Sequence, residues 1–435
     1  KMSISIFGLG YIGCVSLGCL AQNGFQVIGV DVNKTKVHLI NQGLPTIIEK
    51  DIDTIIKEQH KSGKIRATKD YHQAVMESDM SIICVGTPLG EDGNLNLEYI
   101  YQTAKQIGEV LKYKDSFHII VIRSTVVPGT NQRVSEIISE ISGKKVNIDF
   151  SVVSNPEFLR EGSAVQDYYN PPFTLIGTDN DEAARVMKHI YEKVNGEFIR
   201  TEIKIAELIK YVNNSFHALK VTFTNEVGTI CKKLDIDAYE LMNIFCKDKK
   251  LNISPYYLKP GFAYGGSCLP KDLNALKTMA RDLNIKVPVL SSIELSNQNH
   301  IQNVVQIIKK SGKTKIGIFG IAFKEGTDDL RYSPVINVIE ELLANDYQVK
   351  VYDDYVQTAL LIGSNKEYLE KNLPYLKNLM VNNEKDLLEW AELVVFNKKK
   401  EYYRELISQY PDKSFLDLIR INGNIQKLNY EGICW

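Results

Sequence analysis

The sequence predicts an α/β fold: two doubly wound units joined by a long central helix and a helical dimerisation region. Three observations predict it. A short apolar strand at the start of the chain runs into a glycine-rich turn and then a helix. A similar strand–turn–helix pattern begins again near Thr314. Between them, apolar residues recur at spacings of three and four from Thr201 to about Leu234. A chain of 435 residues has room for two to four domains at about 100–200 residues each. The expected division is 1–200, 201–312 and 313–435.

The first unit opens with the apolar strand Ser3–Phe7. Gly8-Leu9-Gly10-Tyr11-Ile12-Gly13 then fits G-x-G-x-x-G, a helical stretch runs to about Asn23, and Phe25–Val30 reads as a second strand ending at Asp31. Gly8, Gly10 and Gly13 allow a tight turn and close approach of a pyrophosphate to a helix N-terminus. Asp31 stands where a carboxylate accepts hydrogen bonds from a ribose 2′-OH and repels a 2′-phosphate, which favours NAD over NADP. A Rossmann-like NAD-binding unit is therefore expected, against the plainer reading of a glycine-rich turn with no ligand.

Further strands end at candidate contacts. Ser81–Val85 leads into Gly86-Thr87-Pro88, Ile119–Ile122 into Arg123-Ser124-Thr125, and Phe150–Val153 into Ser154-Asn155-Pro156-Glu157. The carboxyl ends of parallel strands converge on the ligand crevice, so Thr87 and Thr125 are candidates for cofactor or substrate contact, or else simple turn residues.

The central helix has an apolar row of Ile205, Leu208, Ile209, Val212, Phe216, Leu219, Phe223 and Val227. A second face carries Lys210, Asn214, His217 and Asn225, which is not the Glu/Lys mixture of an ordinary solvated face. The apolar row exceeds what one domain face needs and predicts a symmetric homodimer packed on this segment; a single helix linking two domains of a monomer is the alternative. In the last part, Lys315–Phe319, Tyr347–Tyr352, Leu393–Phe396 and Phe415–Leu416 read as strands and Pro334–Leu343 as a helix. Gly317-Ile318-Phe319-Gly320-Ile321-Ala322 keeps only part of the dinucleotide fingerprint, so no second NAD site is expected there.

Composition excludes other classes. Fifty-two Lys+Arg against 53 Asp+Glu leave a net charge of −1, without the basic excess that nucleic-acid or acidic-membrane binding requires. No stretch approaches the ~20 apolar residues of a membrane span. The apolar run Tyr11–Ala21 follows a glycine-rich turn rather than a basic segment, so it is not read as a leader. Seven scattered cysteines without a Cys-x-x-Cys, and seven histidines without metal-ligand spacing, argue for a metal-free enzyme in a reducing cytoplasm.

The densest chemical signal is Pro260-Gly261-Phe262-Ala263-Tyr264-Gly265-Gly266-Ser267-Cys268-Leu269-Pro270-Lys271-Asp272. Glycines bring backbone amides beside Cys268, and Lys271 favours a thiolate. In an NAD-dependent enzyme such a thiolate can attack a bound aldehyde, giving a thiohemiacetal and then a thioester that water hydrolyses to an acid. A buried structural cysteine is the plain alternative.

With these motifs in order, the chain resembles the UDP-glucose/GDP-mannose dehydrogenase family over essentially its whole length. The resemblance is carried by Gly8–Gly13, Val85-Gly86-Thr87-Pro88, Arg123–Val126, Asn155–Glu161, Gly265–Asp272, and Phe323-Lys324 with Asp328–Arg331. It implies a four-electron oxidation of the C6 hydroxymethyl of a nucleotide-linked hexose to a carboxylate, with two NAD⁺ and an active-site cysteine. Leu251–Ser254 before Tyr256-Tyr257, Asp92–Leu97 before Tyr99-Ile100, and Gly432–Trp435 resemble the GDP-mannose branch most; the UDP-glucose branch is the runner-up. Departures are Lys259 for an expected arginine, Tyr264 for a phenylalanine, and Ile47-Ile48-Glu49-Lys50 without the Pro-Gly expected after the glutamate.

The resemblance implies site residues. Cys268 is the nucleophile, and Lys210 and Asn214 steady the oxyanions. Proton acceptors are Lys210, or a water held by Thr125 and Asp272, with Glu157 or Glu161 activating water or the thiohemiacetal. Tyr11, Ile12, Lys36, Thr87 and Lys271 join the glycines and Asp31 as cofactor contacts. Leu159, Arg160, Glu161, His217, Asn225, Tyr256, Tyr257, Lys259, Phe262, Gly265, Lys324 and Arg331 are sugar-nucleotide contacts, although the two tyrosines could equally be core aromatics. A non-catalytic sugar-nucleotide-binding protein would lack Cys268 or Lys210, and a two-electron dehydrogenase would not need Cys268.

Overall fold

A computed structural model describes residues 2–266, 268–322, 330, 332–359, 364–421 and 427–435. Lys324 and Arg331, and the motif residues 323 and 328–329 around them, lie outside the described residues. Contacts divide the chain into two compact units, Lys1–Ala218 and Leu219–Trp435.

The first unit is built on an eight-stranded sheet. Its strands are β1 (Ser3–Phe7), β2 (Gln26–Val30), β3 (Ile65–Thr68), β4 (Met80–Ile83), β5 (His118–Ile122), β6 (Phe150–Ser154), β7 (Thr174–Gly177) and β8 (Phe198–Thr201). Their spatial order is β3-β2-β1-β4-β5-β6-β7-β8. The first six are mutually parallel in the order of a dinucleotide-binding sheet, with the switch point between β1 and β4. β7 meets β6 antiparallel, so β7 and β8 extend the sheet in the opposite sense. Sequence reading found β1, β2, β4, β5 and β6. It passed over β3, β7 and β8, each only four residues long.

Alternation along the strands covers both faces. Ile4, Ile6, Met80, Ile82, Ile119 and Val121 feed one core. Phe7, Ile83, Ile120 and Ile122 feed the other. On this second side Ser5, Ser81 and His118 form a buried polar row: the Ser5 and Ser81 hydroxyls are 2.8 Å apart, and Ser81 Oγ lies 2.8 Å from His118 Nε2. The Lys114 ammonium lies 3.2 Å from His118 Nδ1. A protonated amine can only donate, so Nδ1 accepts and Nε2–H donates to Ser81.

The second unit carries a five-stranded parallel sheet. β9 (Lys315–Phe319), β10 (Gln348–Tyr352), β11 (Leu393–Phe396), β12 (Ser414–Asp417) and β13 (Tyr430–Gly432) lie in the order β10-β9-β11-β12-β13. This is the other common doubly wound order, 2-1-3-4-5. Ile316, Ile318 and Val395 face one core, and Phe319, Val394 and Phe396 the other. Ahead of the sheet run the helices Cys268–Asp282 and Pro288–Lys310. The 31-residue helix Ile203–Lys233 crosses the boundary between the units and matches the predicted span to within two residues. None of the described helices is long and apolar enough to cross a membrane.

Candidate active site

The glycine turn is tight for reasons written in its atoms. Gly8 has φ +94°, and a side chain there would meet the Cys84 carbonyl. A Cβ at Gly13 would stand 1.7 Å from the Gly8 carbonyl oxygen, so the helix Tyr11–Gln22 can start this close to β1 only with glycine. At Gly10, by contrast, a Cβ would meet nothing within 4 Å, and Gly10 caps that helix without a side-chain hydrogen bond. Open space and unfilled N–H groups at a helix start suit a pyrophosphate. Asp31 braces the turn, accepting from Leu9 N and from Asn33 N, both at 2.8 Å. These residues fit a dinucleotide.

At the ends of β4 and β5 the threonines are tied together: the Thr87 hydroxyl donates to the Thr125 carbonyl at 2.7 Å. Next to them Arg123 is buried. Its guanidinium donates to Asn155 Oδ1 at 2.9 Å and lies about 6 Å from the Tyr168 and Tyr191 rings. Asn155 in turn donates to the Leu175 carbonyl at 3.0 Å and accepts from the Tyr191 hydroxyl. This knot fixes the loop after β6, on which Glu157, Leu159, Arg160 and Glu161 stand.

The structure brings Lys210 and Glu157 together. Lys210 Nζ donates to Glu157 Oε1 at 3.0 Å and to its backbone carbonyl at 2.6 Å, and the two side chains are only 14% and 7% exposed. Glu157 Oε2 accepts from Leu159 N at 2.7 Å. In both contacts Lys210 is the hydrogen-bond donor. Glu161, four residues on, is exposed. The two carboxylates that sequence reading left interchangeable thus sit in different settings. Arg160 is tethered to Asp167 by contacts of 2.8 and 3.1 Å, and Arg160 holds the Asp167 carboxyl below the usual range. Asn214 and His217 are exposed on the helix that carries Lys210.

In the second unit Cys268 is the first residue of its helix. It lines a cavity of about 1360 Å³ with Tyr256, Tyr257, Lys259, Phe262, Gly265 and His300 among its walls. The loop before it is pinned from the 288–310 helix. Asn297 exchanges hydrogen bonds with both backbone groups of Tyr264 at 3.0 Å, and His300 Nε2 meets the Gly261 carbonyl at 2.7 Å. Gly265 admits no side chain, because a Cβ would lie 2.4 Å from the Tyr332 carbonyl oxygen. Tyr256 and Tyr257 are exposed, with rings edge to face at 4.5 Å, and so are cavity walls rather than core.

Some expected residues are not brought to that cavity. Lys271 borders a separate cavity of about 700 Å³ with Pro270, Asn274 and Tyr332. It pairs with Asp272 at 3.7 Å, both side chains being exposed. Asn225 is exposed on the long helix. Thr125, Glu157, Lys210 and Asn214 belong to the first unit, and Cys268 and Asp272 to the second. Arg123, Asn297 and His300 act here as supports that sequence reading assigned no role; the Arg-Ser-Thr run was the one available signal.

A dinucleotide turn in one sheet, and a glycine-lined cysteine at a helix start beside a large cavity, define an NAD-linked oxidoreductase with a thiol at its disposal. Comparison with known proteins is more specific. The chain matches the UDP-glucose/GDP-mannose dehydrogenase family in three parts: the NAD binding domain at residues 2–195, the central domain at 204–299 and the UDP binding domain at 317–421. It belongs to that family. It is 43% identical to GDP-mannose 6-dehydrogenase of Pseudomonas putida over the full length of both chains. It is 34% identical to a UDP-glucose 6-dehydrogenase of Bacillus subtilis, over 81% of this chain and 79% of that one. Among solved structures, a ternary complex of GDP-mannose dehydrogenase from Pseudomonas aeruginosa superposes with a TM-score of 0.97 at 42% identity, covering all of both chains.

Proposed function

We propose that this protein is a nucleotide-sugar 6-dehydrogenase that oxidises GDP-mannose to GDP-mannuronate in two two-electron steps. One observation carries the reading: Cys268 opens a helix on the wall of a cavity large enough for a sugar nucleotide, in a chain with a dinucleotide turn. Alcohol-to-aldehyde oxidation needs no thiol. Aldehyde-to-acid oxidation needs a nucleophile on the carbonyl carbon. GDP-mannose is favoured over UDP-glucose by the higher, full-length identity to enzymes of that name.

NAD⁺ bound at the glycine turn supplies the hydride acceptor. The residues of the chain do the rest. Lys210, fixed by Glu157, donates to the C6 oxygen and stabilises it as charge develops, with Asn214 one helical turn away as a second donor. A water held by Thr125 takes the hydroxyl proton. The Cys268 thiolate adds to the aldehyde carbon to give a thiohemiacetal, whose oxidation leaves a thioester. Exposed Glu161 deprotonates the water that cleaves the thioester, returning the thiol and releasing the carboxylate. Tyr256, Tyr257, Lys259, Phe262 and Gly265 hold the nucleotide end, and Lys324, Arg331, His217 and Asn225 complete the contacts.

The working form is a homodimer in the cytoplasm, and its three parts follow 1–200, 201–312 and 313–435. The exposed apolar row Ile205, Leu208, Val212, Phe216 and Leu219 on the long helix supports association. Light scattering returning the 49.3 kDa of one chain at micromolar concentration would remove the dimer. The decisive assay follows NADH with GDP-mannose and UDP-glucose in parallel. Two NADH per GDP-mannose consumed, and no acid formed by Cys268→Ala, are expected. Near wild-type acid formation by that variant would show that water adds to the aldehyde without the thiol.

A further inference from the structure

Residues 44–51, between β2 and the helix Ile52–Lys61, carry no cofactor or substrate assignment, yet they touch both candidate binding loops of the first unit. The Thr46 hydroxyl donates to the Leu9 carbonyl in the glycine turn at 2.7 Å. Glu49 reaches the other loop, its two carboxylate oxygens accepting from Gly162 N at 3.0 Å and Ala164 N at 3.5 Å. Burial, and then Glu49, push the Tyr11 phenol well above its usual range, and Glu157 and Glu161 act on it in the same direction. Burial works against the Glu49 charge, but the backbone N–H groups of Gly162 and Ala164 help keep the carboxyl below the ordinary range. Residues 46–49 thus bridge the glycine turn, which Thr46 holds, and the end of the loop that carries Leu159, Arg160 and Glu161, which Glu49 holds.

We infer that Glu49 is a positioning residue, joining the cofactor turn to the substrate loop so that occupation of either site orders the other. The geometry gives the reason. Gly162 sits at φ +88° immediately after Glu161, so the N–H that Glu49 accepts sets where Glu161 points. Thr46, three residues before Glu49, holds the Leu9 carbonyl of the glycine turn. A ligand that orders the turn therefore orders Thr46 and Glu49, and through Gly162 the substrate loop. Linkage makes the effect reciprocal.

This inference rests on the proposed substrate, and the test separates the two. NADH and GDP-mannose cannot react with each other, so their joint binding is measurable on the active enzyme by titration calorimetry. In the wild type, saturating GDP-mannose is expected to tighten NADH at least threefold. In Glu49→Ala that factor falls below 1.5, and KM rises three- to tenfold for both substrates while kcat changes less than twofold. Glu49→Gln keeps one acceptor oxygen and restores part of the coupling; it also decides the case if Glu49→Ala does not fold. A merely structural glutamate would lower the folded fraction and leave the coupling factor unchanged. The inference is overturned if the wild type shows no coupling, or if folded Glu49 variants keep both KM values and the coupling within 1.5-fold. If the wild type oxidises neither GDP-mannose nor UDP-glucose, the functional reading falls instead. NADH affinity alone then judges Glu49, and an unchanged value in Glu49→Ala rejects it.

Discussion

Gly13→Ala tests the dinucleotide turn most sharply, because the neighbouring glycine supplies its control. The new Cβ would lie 1.7 Å from the Gly8 carbonyl oxygen and 2.8 Å from its carbon. The carbonyl must retreat by more than an ångström. It cannot do so alone, since Gly8 is at φ +94° and already packed against the Cys84 carbonyl. The turn therefore shifts as a whole, giving up the 2.8 Å bond from Gly8 N to the Val30 carbonyl and the 2.8 Å bond from Leu9 N to Asp31. A neutral hydrogen bond contributes about 1 kcal/mol and one to a charged group about 1.5–3, so the shift costs roughly 2.5–4 kcal/mol. At about 1.4 kcal/mol per tenfold, NADH should bind roughly 60- to 700-fold more weakly if the whole cost falls on binding. Gly10→Ala meets nothing within 4 Å and should leave the thermal midpoint within about 1 °C, any loss arising only against bound pyrophosphate. Calorimetric titration with NADH and scanning calorimetry read both variants. NADH affinity within threefold of wild type in Gly13→Ala, with an unchanged midpoint, would refute the account of the turn.

Asp51, which caps the Ile52–Lys61 helix at φ +68°, stands in a left-handed conformation that glycine adopts without strain. Asp51→Gly should relieve about 0.5–1 kcal/mol there, offset in part by unfolded-chain entropy, and urea titration should show a midpoint at or above that of wild type. His118 is pushed down to about 3 by burial first and the Lys114 charge second. The unfolded chain therefore takes up a proton below pH ~6.5 that the folded one refuses, and stability is lost as pH falls from there toward 3, by up to about 1.4 kcal/mol per pH unit. His118→Gln should flatten that acid limb in urea titrations at pH 4–7, and an unchanged slope would contradict the buried neutral imidazole. Asp31→Ser should narrow the preference for NAD⁺ over NADP⁺ in kcat/KM and also loosen the turn, since it loses the acceptor for Leu9 N. A preference unchanged from wild type would remove Asp31 from cofactor choice.

Much of this fold is legible in the chain because its signals are local. A strand, three glycines, a helix and an acid at the next strand end lie within thirty-one residues, and each constrains its neighbours directly. The long helix is equally plain, since a 3.6-residue period sustained over eight turns needs no knowledge of what it packs against. The second sheet was readable for the same reason, except for the three-residue strand β13, which sequence reading passed over. The family also followed from ordered motifs spread over the whole chain, each short and contiguous.

What the tertiary structure decided depends on residues far apart. β3, β7 and β8 interrupt or flank their apolar residues with Arg, Thr or Gly, unlike the four-residue runs of β4 and β11, and they form because neighbouring strands offer unpaired hydrogen-bonding edges. Glu157 and Glu161 are alike in sequence. They differ because Lys210, 53 residues away, reaches one of them and leaves the other to solvent. Lys271 stands three residues from Cys268, yet it borders a different cavity, one helical turn further along. Asp31 brings a surplus the motif does not announce, since its carboxylate holds the glycine turn through Leu9 N. Spacing names the chemistry a residue can do; which partner it does it with is set by folding, since a buried charge settles wherever the chain delivers a donor or an opposite charge.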